Sequence, residues 1–328
     1  MATKREVVVV TGASAGVGRA VAREFGRHGA AVALLARGTD GLQAAQDEIE
    51  RMGGEAIALP TDVAQADQVE LAASEVERRL GPIDIWVNDA MATVFAPIWD
   101  LTADEFRRAT EVTYLGFVYG TQAALRRMMP RDQGTVVQVG SALAHRSIPL
   151  QAPYCGAKHA IIGFTDSVRS ELIHAKSRVH LTVVNLPGVN TPQFEWGRNK
   201  MPHRPQPVPP IYQPEVPARA IYWAAHHRRR ELDVGFSTVK AVLGNKVFPG
   251  LLDWYLARKA FGGQQTERQR RPDRPDNLFA PVAGDHGAHG RFDRRARGRS
   301  VQSWVNRHRG LVAAGLAVAV GATLTRVL

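Results

Sequence analysis

The chain has 328 residues, one Cys, 45% hydrophobic residues and a formal net charge of +11, from 42 Lys and Arg against 31 Asp and Glu. A single Cys excludes an internal disulfide scaffold, and the composition excludes a collagen-like or wholly disordered chain. The length allows one large domain or two ordinary ones, and whether the charge marks a nucleic-acid or membrane partner depends on where it sits.

The N-terminus opens directly into a strand signal, Glu6 to Val10, with no basic-then-apolar leader before it, so no secretory signal peptide is expected. Further buried strands are expected at Ala31–Leu35, Ala56–Leu59, Ile83–Asn88, Thr135–Val139 and His180–Leu186. Helical patterns fall between them, at Gly18–His28, Leu42–Met52, Asp67–Leu80, Ala103–Met129 and Tyr154–Ala175. This alternation predicts an α/β fold, a doubly wound parallel sheet in a single Rossmann-type domain over residues 5–260.

Two stretches break the rhythm. Residues 196–217 carry seven prolines and predict an irregular insertion, a feature more often functional than accidental in a compact domain. Residues 262–300 are rich in Arg, Gly and Pro and read as an extended tether. The positive charge is concentrated here: residues 264–310 hold 11 Arg against five acids, which leaves residues 1–263 at only +4. A nucleic-acid role would rest on this tail alone and is not expected. Residues 301–328 end in a charge-free run, Leu311 to Thr325. Fifteen helical residues span about 22 Å, short of a bilayer core. A membrane-associated tail, a docked apolar helix and disorder all stay open.

The first strand runs into Thr11-Gly12-Ala13-Ser14-Ala15-Gly16-Val17-Gly18 and then a helix. Glycines there let backbone N–H groups approach a pyrophosphate, and the helix dipole adds to the attraction. Further on, Tyr154 and Lys158 stand at i, i+4, on one face of a helix. Ser141 lies thirteen residues before Tyr154, just after a strand. His226, His227 and the tail histidines lack ligand spacing, so no metal is expected.

The T-G-x-x-x-G-x-G turn and the ordered Ser141, Tyr154 and Lys158 resemble the short-chain dehydrogenase/reductase family over residues 5–260. The resemblance implies hydride transfer between a nicotinamide cofactor and a carbonyl or alcohol, and commonly a homo-oligomer. Tyr154 is implied as acid/base, Lys158 as the charge that lowers its pKa, and Ser141 as the hydroxyl that orients the substrate. Cofactor contacts are implied for Gly12, Ser14, Gly16, Val17, Gly18, Asp62, Val63, Asn88, Tyr154, Lys158, Val189 and Thr191. Arg37, at the end of the second strand, suits a 2′-phosphate, so NADP(H) is expected over NAD(H), with Arg19 as a helper. An ordinary surface Arg is the other reading of Arg37.

The sequence departs from the family at three places. Thr113 stands where the family has a relay Asn, and its hydroxyl could bind a water or a backbone carbonyl. Asp89 and Met91 stand where the family's Asn-Asn-Ala-Gly has its second Asn and its Gly. One residue is missing between Gly188 and Thr191. The resemblance implies that the insertion is a lid over the substrate; its apolar residues Phe194, Trp196, Met201, Ile211 and Tyr212 suggest a small hydrophobic ketone or alcohol, and a lid packed on its own domain is the other reading. A non-catalytic nucleotide-binding or redox-sensing module is the alternative. A cytoplasmic location is expected, with attachment to a membrane face through the tail left open.

Overall fold

The computed structural model describes residues 5–271 and 273–310. Seven strands form one parallel sheet: β1 (Val7–Thr11), β2 (Ala31–Ala36), β3 (Glu55–Pro60), β4 (Ile85–Asn88), β5 (Thr135–Ser141), β6 (His180–Leu186) and β7 (Glu231–Asp233). Their order is β7-β6-β5-β4-β1-β2-β3. Strand direction of travel reverses between β1 and β4, which opens a crevice at their carboxyl ends. Side chains alternate across the pleat. Val8, Val10, Val32 and Leu34 enter the core on one face, and Val7, Val9, Ala33 and Leu35 the core on the other.

Helices α1 (Gly16–Arg27), α2 (Thr39–Arg51), α3 (Ala66–Leu80), α4 (Ala103–Thr110), α5 (Gly116–Met128), α6 (Ala152–His174) and α7 (Glu215–His226) cover both faces. Thr102 caps α4 in a capping box with Glu105. The single helix expected at Ala103–Met129 is divided by a π turn, Glu111–Leu115. Such turns occur mostly as single insertions within α-helices. Here Thr113 donates to the Ala92 carbonyl and accepts from the Ala92 N–H, both at 2.9 Å. The short edge strand β7 was not foreseen, since Glu-Leu-Asp offers one apolar residue.

Asn88 ends β4, as expected, but it does not enter the crevice. It is fully buried and its amide is spent within the protein. Its oxygen accepts from Trp86 Nε1 (2.8 Å), and its nitrogen donates to Gln138 (2.9 Å), Thr121 (3.2 Å) and the Phe117 carbonyl (3.3 Å). A cofactor contact for Asn88 is therefore corrected to a clamp between β4, β5 and α5.

Two helices follow β7, α8 (Phe236–Val247) and α9 (Pro249–Gly263), and a short α10 (Val301–Arg307) follows the Arg-rich segment. That segment is mostly irregular but does not hang free as a tether. Residues 265–269 pair antiparallel with 203–205 of the Pro-rich insertion. Leu278 is fully buried, and Phe292 joins Phe95, Leu150, Phe194, Met201 and Ile211 in a small core of its own. The arginines that suggested a solvated chain make specific bonds. Arg291 pairs with Glu195 (2.7 Å) and donates to the Pro205 carbonyl (2.8 Å). The rest of the apolar tail, 311–328, lies outside the described residues. Among those described, no helix is long and apolar enough to cross a membrane.

Replacing Asn88 with Ala strands the Trp86 and Gln138 side chains in the core. The unfolding free energy should fall by about 2–4 kcal/mol, read as a lower urea midpoint, while dinucleotide affinity of the folded protein changes little.

Candidate active site

The turn after β1 forms the floor of the crevice. Gly12 and Gly16 hold left-handed φ values of 72° and 59°, which favour glycine. A Cβ on Gly12 would lie 2.9 Å from the Ala90 Cα, and one on Gly18 would lie 2.4 Å from the Gly12 carbonyl oxygen. The turn therefore rests backbone to backbone on the end of β4. The α1 N-terminus has no side-chain cap, and its first N–H groups bond outside the helix, Gly16 to the Gly287 carbonyl and Gly18 to the Asp89 carboxylate. Gly12, Ser14, Gly16 and Val17 line the cleft, and Gly18 packs behind it.

Ser141, Tyr154 and Lys158 line the same cleft. β5 delivers Ser141 at its last residue, and α6 delivers the other two one turn apart. The Ser141 hydroxyl is hydrogen-bonded to the Tyr154 phenol. Lys158 Nζ donates to the Val139 carbonyl at 2.7 Å, and lies 4.4 Å from the Phe117 ring centroid and 5.6 Å from that of Tyr154. Burial raises the phenol well above its ordinary pKa; Ser141 pulls it down, and Cys155 and Asp89 push it further up. The lowering expected from Lys158 is not among the influences on the phenol here.

Burial is the chief cause of the raised phenol pKa, and Asp89 adds a smaller push in the same direction. Burial raises its carboxyl, while the Lys158 charge and a hydrogen bond from the Gly18 N–H favour its ionised form. Burial in turn lowers Lys158, and Asp89 restores part of its charge. The cation meant to act on Tyr154 is shared with a carboxylate that the sequence reading passed over. The signal was present as the departure from Asn at position 89.

Thr113 is buried with its hydroxyl closed onto Ala92, and it does not line the cleft; its neighbour Val112 does. Val189 and Thr191 both line it, as do Asp62 and Val63. Asp62 is also held by Arg108 at 2.6 Å. Arg37 reaches the cleft but faces competition. Its guanidinium donates to the carbonyls of Asn277, Leu278 (3.3 Å) and Phe279 (3.0 Å). Burial lowers its pKa, and so does neighbouring Arg108, against the pull of Asp62. Arg19 is not a helper in the cleft. It is almost fully buried and bound to Glu48 (3.0 Å), Asp285 and the Ser14 carbonyl (3.2 Å).

Residues 277–290 form a strap across the cradle side of the cleft. Gly16 N–H donates to the Gly287 carbonyl (3.1 Å), and Gly284 N–H to Asp40 (2.8 Å). Asn277, Pro281, Val282, Gly284 and His286 line the cleft from above. The cavity between strap and cradle, together with its catalytic end, has a volume of about 530 Å³. Beyond Tyr154 the walls become apolar, with Leu143, Ile148, Pro207, Val208, Leu252 and Leu256. Of the five apolar residues expected over a substrate, Phe194 and Trp196 line the cleft, whereas Met201, Ile211 and Tyr212 are spent in the core. Among the described residues, no group of His, Cys, Asp and Glu is arranged to hold a metal ion.

Comparison with known proteins gives this geometry its context. Residues 6–201 match the short chain dehydrogenase family. The chain belongs to that family. The Bacillus subtilis uncharacterized oxidoreductase YxnA is 31% identical over 285 residues, which cover 86% of this chain and 80% of YxnA. The Danio rerio 3-dehydrosphinganine reductase is 31% identical over 192 residues, 57% of each chain. A crystal structure of a variant actinorhodin polyketide ketoreductase with NADPH superposes with a TM-score of 0.63 at 27% identity, covering 71% of this chain and 97% of that one. This dehydrogenase is accordingly an NAD(P)-dependent oxidoreductase acting on CH–OH or C=O groups.

The cleft fits a dinucleotide on its own evidence. The glycine cradle excludes side chains where a pyrophosphate needs room, and the cavity continues from it to Tyr154 without a break. In this dehydrogenase the strap is held to the body by further polar contacts. Its most titratable latch is His289, between Glu215 (2.8 Å) and Asp293 (3.0 Å), with Arg23 also on Glu215. Burial opposes charge on the ring, but the two hydrogen bonds outweigh it and the pKa lies above the ordinary 6.5. A raised His pKa stabilises the docked state fully below the ordinary value and loses that contribution as pH climbs through the raised one. Hydrogen-exchange protection of residues 284–293 should therefore weaken from neutral to alkaline pH, and His289→Gln should flatten that dependence.

Proposed function

We propose that the enzyme interconverts a hydrophobic ketone and its secondary alcohol with NADP(H), and that its electrostatics favour reduction. The observation that carries this reading is the continuity of the cleft. A glycine cradle and Arg37 lie at one end, Ser141, Tyr154 and Lys158 in the middle, and an apolar wall beyond them.

When bound, the nicotinamide supplies the hydride for reduction or accepts it for oxidation. Ser141 and Tyr154 then act on the substrate oxygen. The Ser141 hydroxyl can hydrogen-bond a carbonyl oxygen and steady the negative charge that grows on it. The Tyr154 phenol gives that oxygen its proton. Burial keeps the phenol protonated at neutral pH, so the donor form is the resting form. Oxidation needs the phenolate, which the same burial disfavours. Lys158 would hold the ribose and is fixed for that task by its bond to the Val139 carbonyl. Arg37 would take the 2′-phosphate by exchanging strap carbonyls for a stronger, charged acceptor. The substrate carbon skeleton would lie against Leu143, Ile148, Val208 and Leu252, where an apolar group gains by leaving water. The zebrafish relative and the actinorhodin protein are both named as reductases, which supports this direction.

Tyr154→Phe should retain NADPH binding, followed by nicotinamide fluorescence, and lose at least about a thousandfold in turnover on hydrophobic ketones. Turnover equal to that of the parent protein would refute the assigned role. Arg37→Ala should weaken NADPH about 10–100-fold and NADH by less than about threefold. Equal losses for both cofactors would reject the 2′-phosphate reading.

A further inference from the structure

The hairpin of α8 and α9 has two unlike faces. One packs beside the cleft. Arg146 ties it down through Asn245 (3.0 Å), the Pro249 carbonyl (3.3 Å) and Asp253 (2.5 Å), and Asn245 donates to the His145 carbonyl (2.7 Å). Leu252 and Leu256 from this face form part of the apolar wall. The other face is bare. Phe236, Leu243, Val247, Phe248, Leu251 and Trp254 are each between 57% and 65% exposed. Soluble monomers seldom leave so continuous an apolar surface in water.

The charges around this face select its partner. Residues 236–263 carry Lys240, which lines the cleft, and Lys246, Arg258 and Lys259 outside it, against one acid, Asp253, and that acid is held by Arg146. A second copy meeting this face around a twofold axis would bring cations against cations. An anionic bilayer surface would not. Trp and Tyr suit the headgroup boundary, and Lys and Arg can extend from the apolar face to phosphate. The anchoring of α10, which precedes the charge-free run in the sequence, points the same way. In α10, Gln302 accepts from the Gly235 N–H (2.7 Å) and donates to the Asp233 carbonyl (3.0 Å). Gly235 is the residue before α8. The charge-free run 311–325 thus departs from an element anchored at the root of the hairpin.

We propose that the exposed face of α8 and α9 docks on the surface of an anionic bilayer, with Phe248, Leu251 and Trp254 entering the headgroup boundary. The cleft wall on the opposite side of the same hairpin then stands next to the lipid. This docking goes beyond the catalytic reading and does not depend on it, because vesicle binding is measured without turnover.

The test is flotation of the full chain with vesicles of phosphatidylcholine alone and of phosphatidylcholine with phosphatidylglycerol. Binding is expected to the anionic vesicles, and to weaken as salt is raised. The triple variant Phe248→Glu, Leu251→Glu, Trp254→Glu should lose at least about tenfold in partitioning while keeping NADPH affinity. Undiminished flotation of that variant would overturn the proposal by assigning binding to residues 311–325. Absence of flotation by the parent protein would also overturn it, and a dimer in light scattering that the triple variant splits would assign the face to a second copy. If the triple variant fails to fold, a fluorophore on Leu251→Cys, in a Cys155→Ser background, gives the answer. Quenching of that fluorophore by nitroxide-labelled lipid upholds the docking, and no quenching rejects it.

Discussion

Where the turn after β1 meets the end of β4, peptide backbone lies directly on peptide backbone, and the site is built outward from that contact. Gly12 cannot carry a Cβ without meeting Ala90, nor Gly18 without meeting the Gly12 carbonyl. The same closeness puts the Gly18 N–H on the Asp89 carboxylate, and so sets the acid that faces Lys158. A wider turn would leave room for ordinary side chains, but it would fill the crevice and separate Asp89 from its amide. The glycines thus act twice: they leave the floor of the crevice clear of side chains, and they fix the electrostatic surroundings of Lys158.

The Arg-rich segment does a second kind of work. Its charge is locally balanced by carboxylates and carbonyls of the body, as Arg291 with Glu195 and the Pro205 carbonyl illustrates. The traffic also runs the other way. Arg19 and Arg37 of the body bind Asp285 and the carbonyls of 277–279. Those carbonyls carry partial charges, whereas a phosphate carries full ones. On the proposed reading, Arg37 would exchange these strap carbonyls for a phosphate.

The sheet, its helices and the Ser141, Tyr154 and Lys158 set were legible in the sequence because each rests on local order. Apolar runs mark the strands, and an i, i+4 spacing puts Tyr154 and Lys158 on one face of α6. The parts that were not legible depend on partners far away in the chain. Asn88 has a family pattern that suggests a cofactor contact, but Trp86, Thr121 and Gln138 consume its amide. Thr113 has a hydroxyl suited to a relay, and the Ala92 backbone takes both of its bonds. Residues 273–300 have the composition of a solvated linker. Only the positions of Arg19, Arg37 and Asn190 in the folded body show why that composition packs.

The strap also imposes an order on synthesis. The cradle, Ser141 and Tyr154 are all translated more than a hundred residues before Asn277 to His286, which roof them. Chains fold in part from the N-terminus as they leave the ribosome, at about 5–20 residues per second. For several seconds the nascent sheet has a cleft floor with no cover. A dinucleotide can enter that floor from the side the strap will later close, so loading during translation and loading of the finished protein are physically different events.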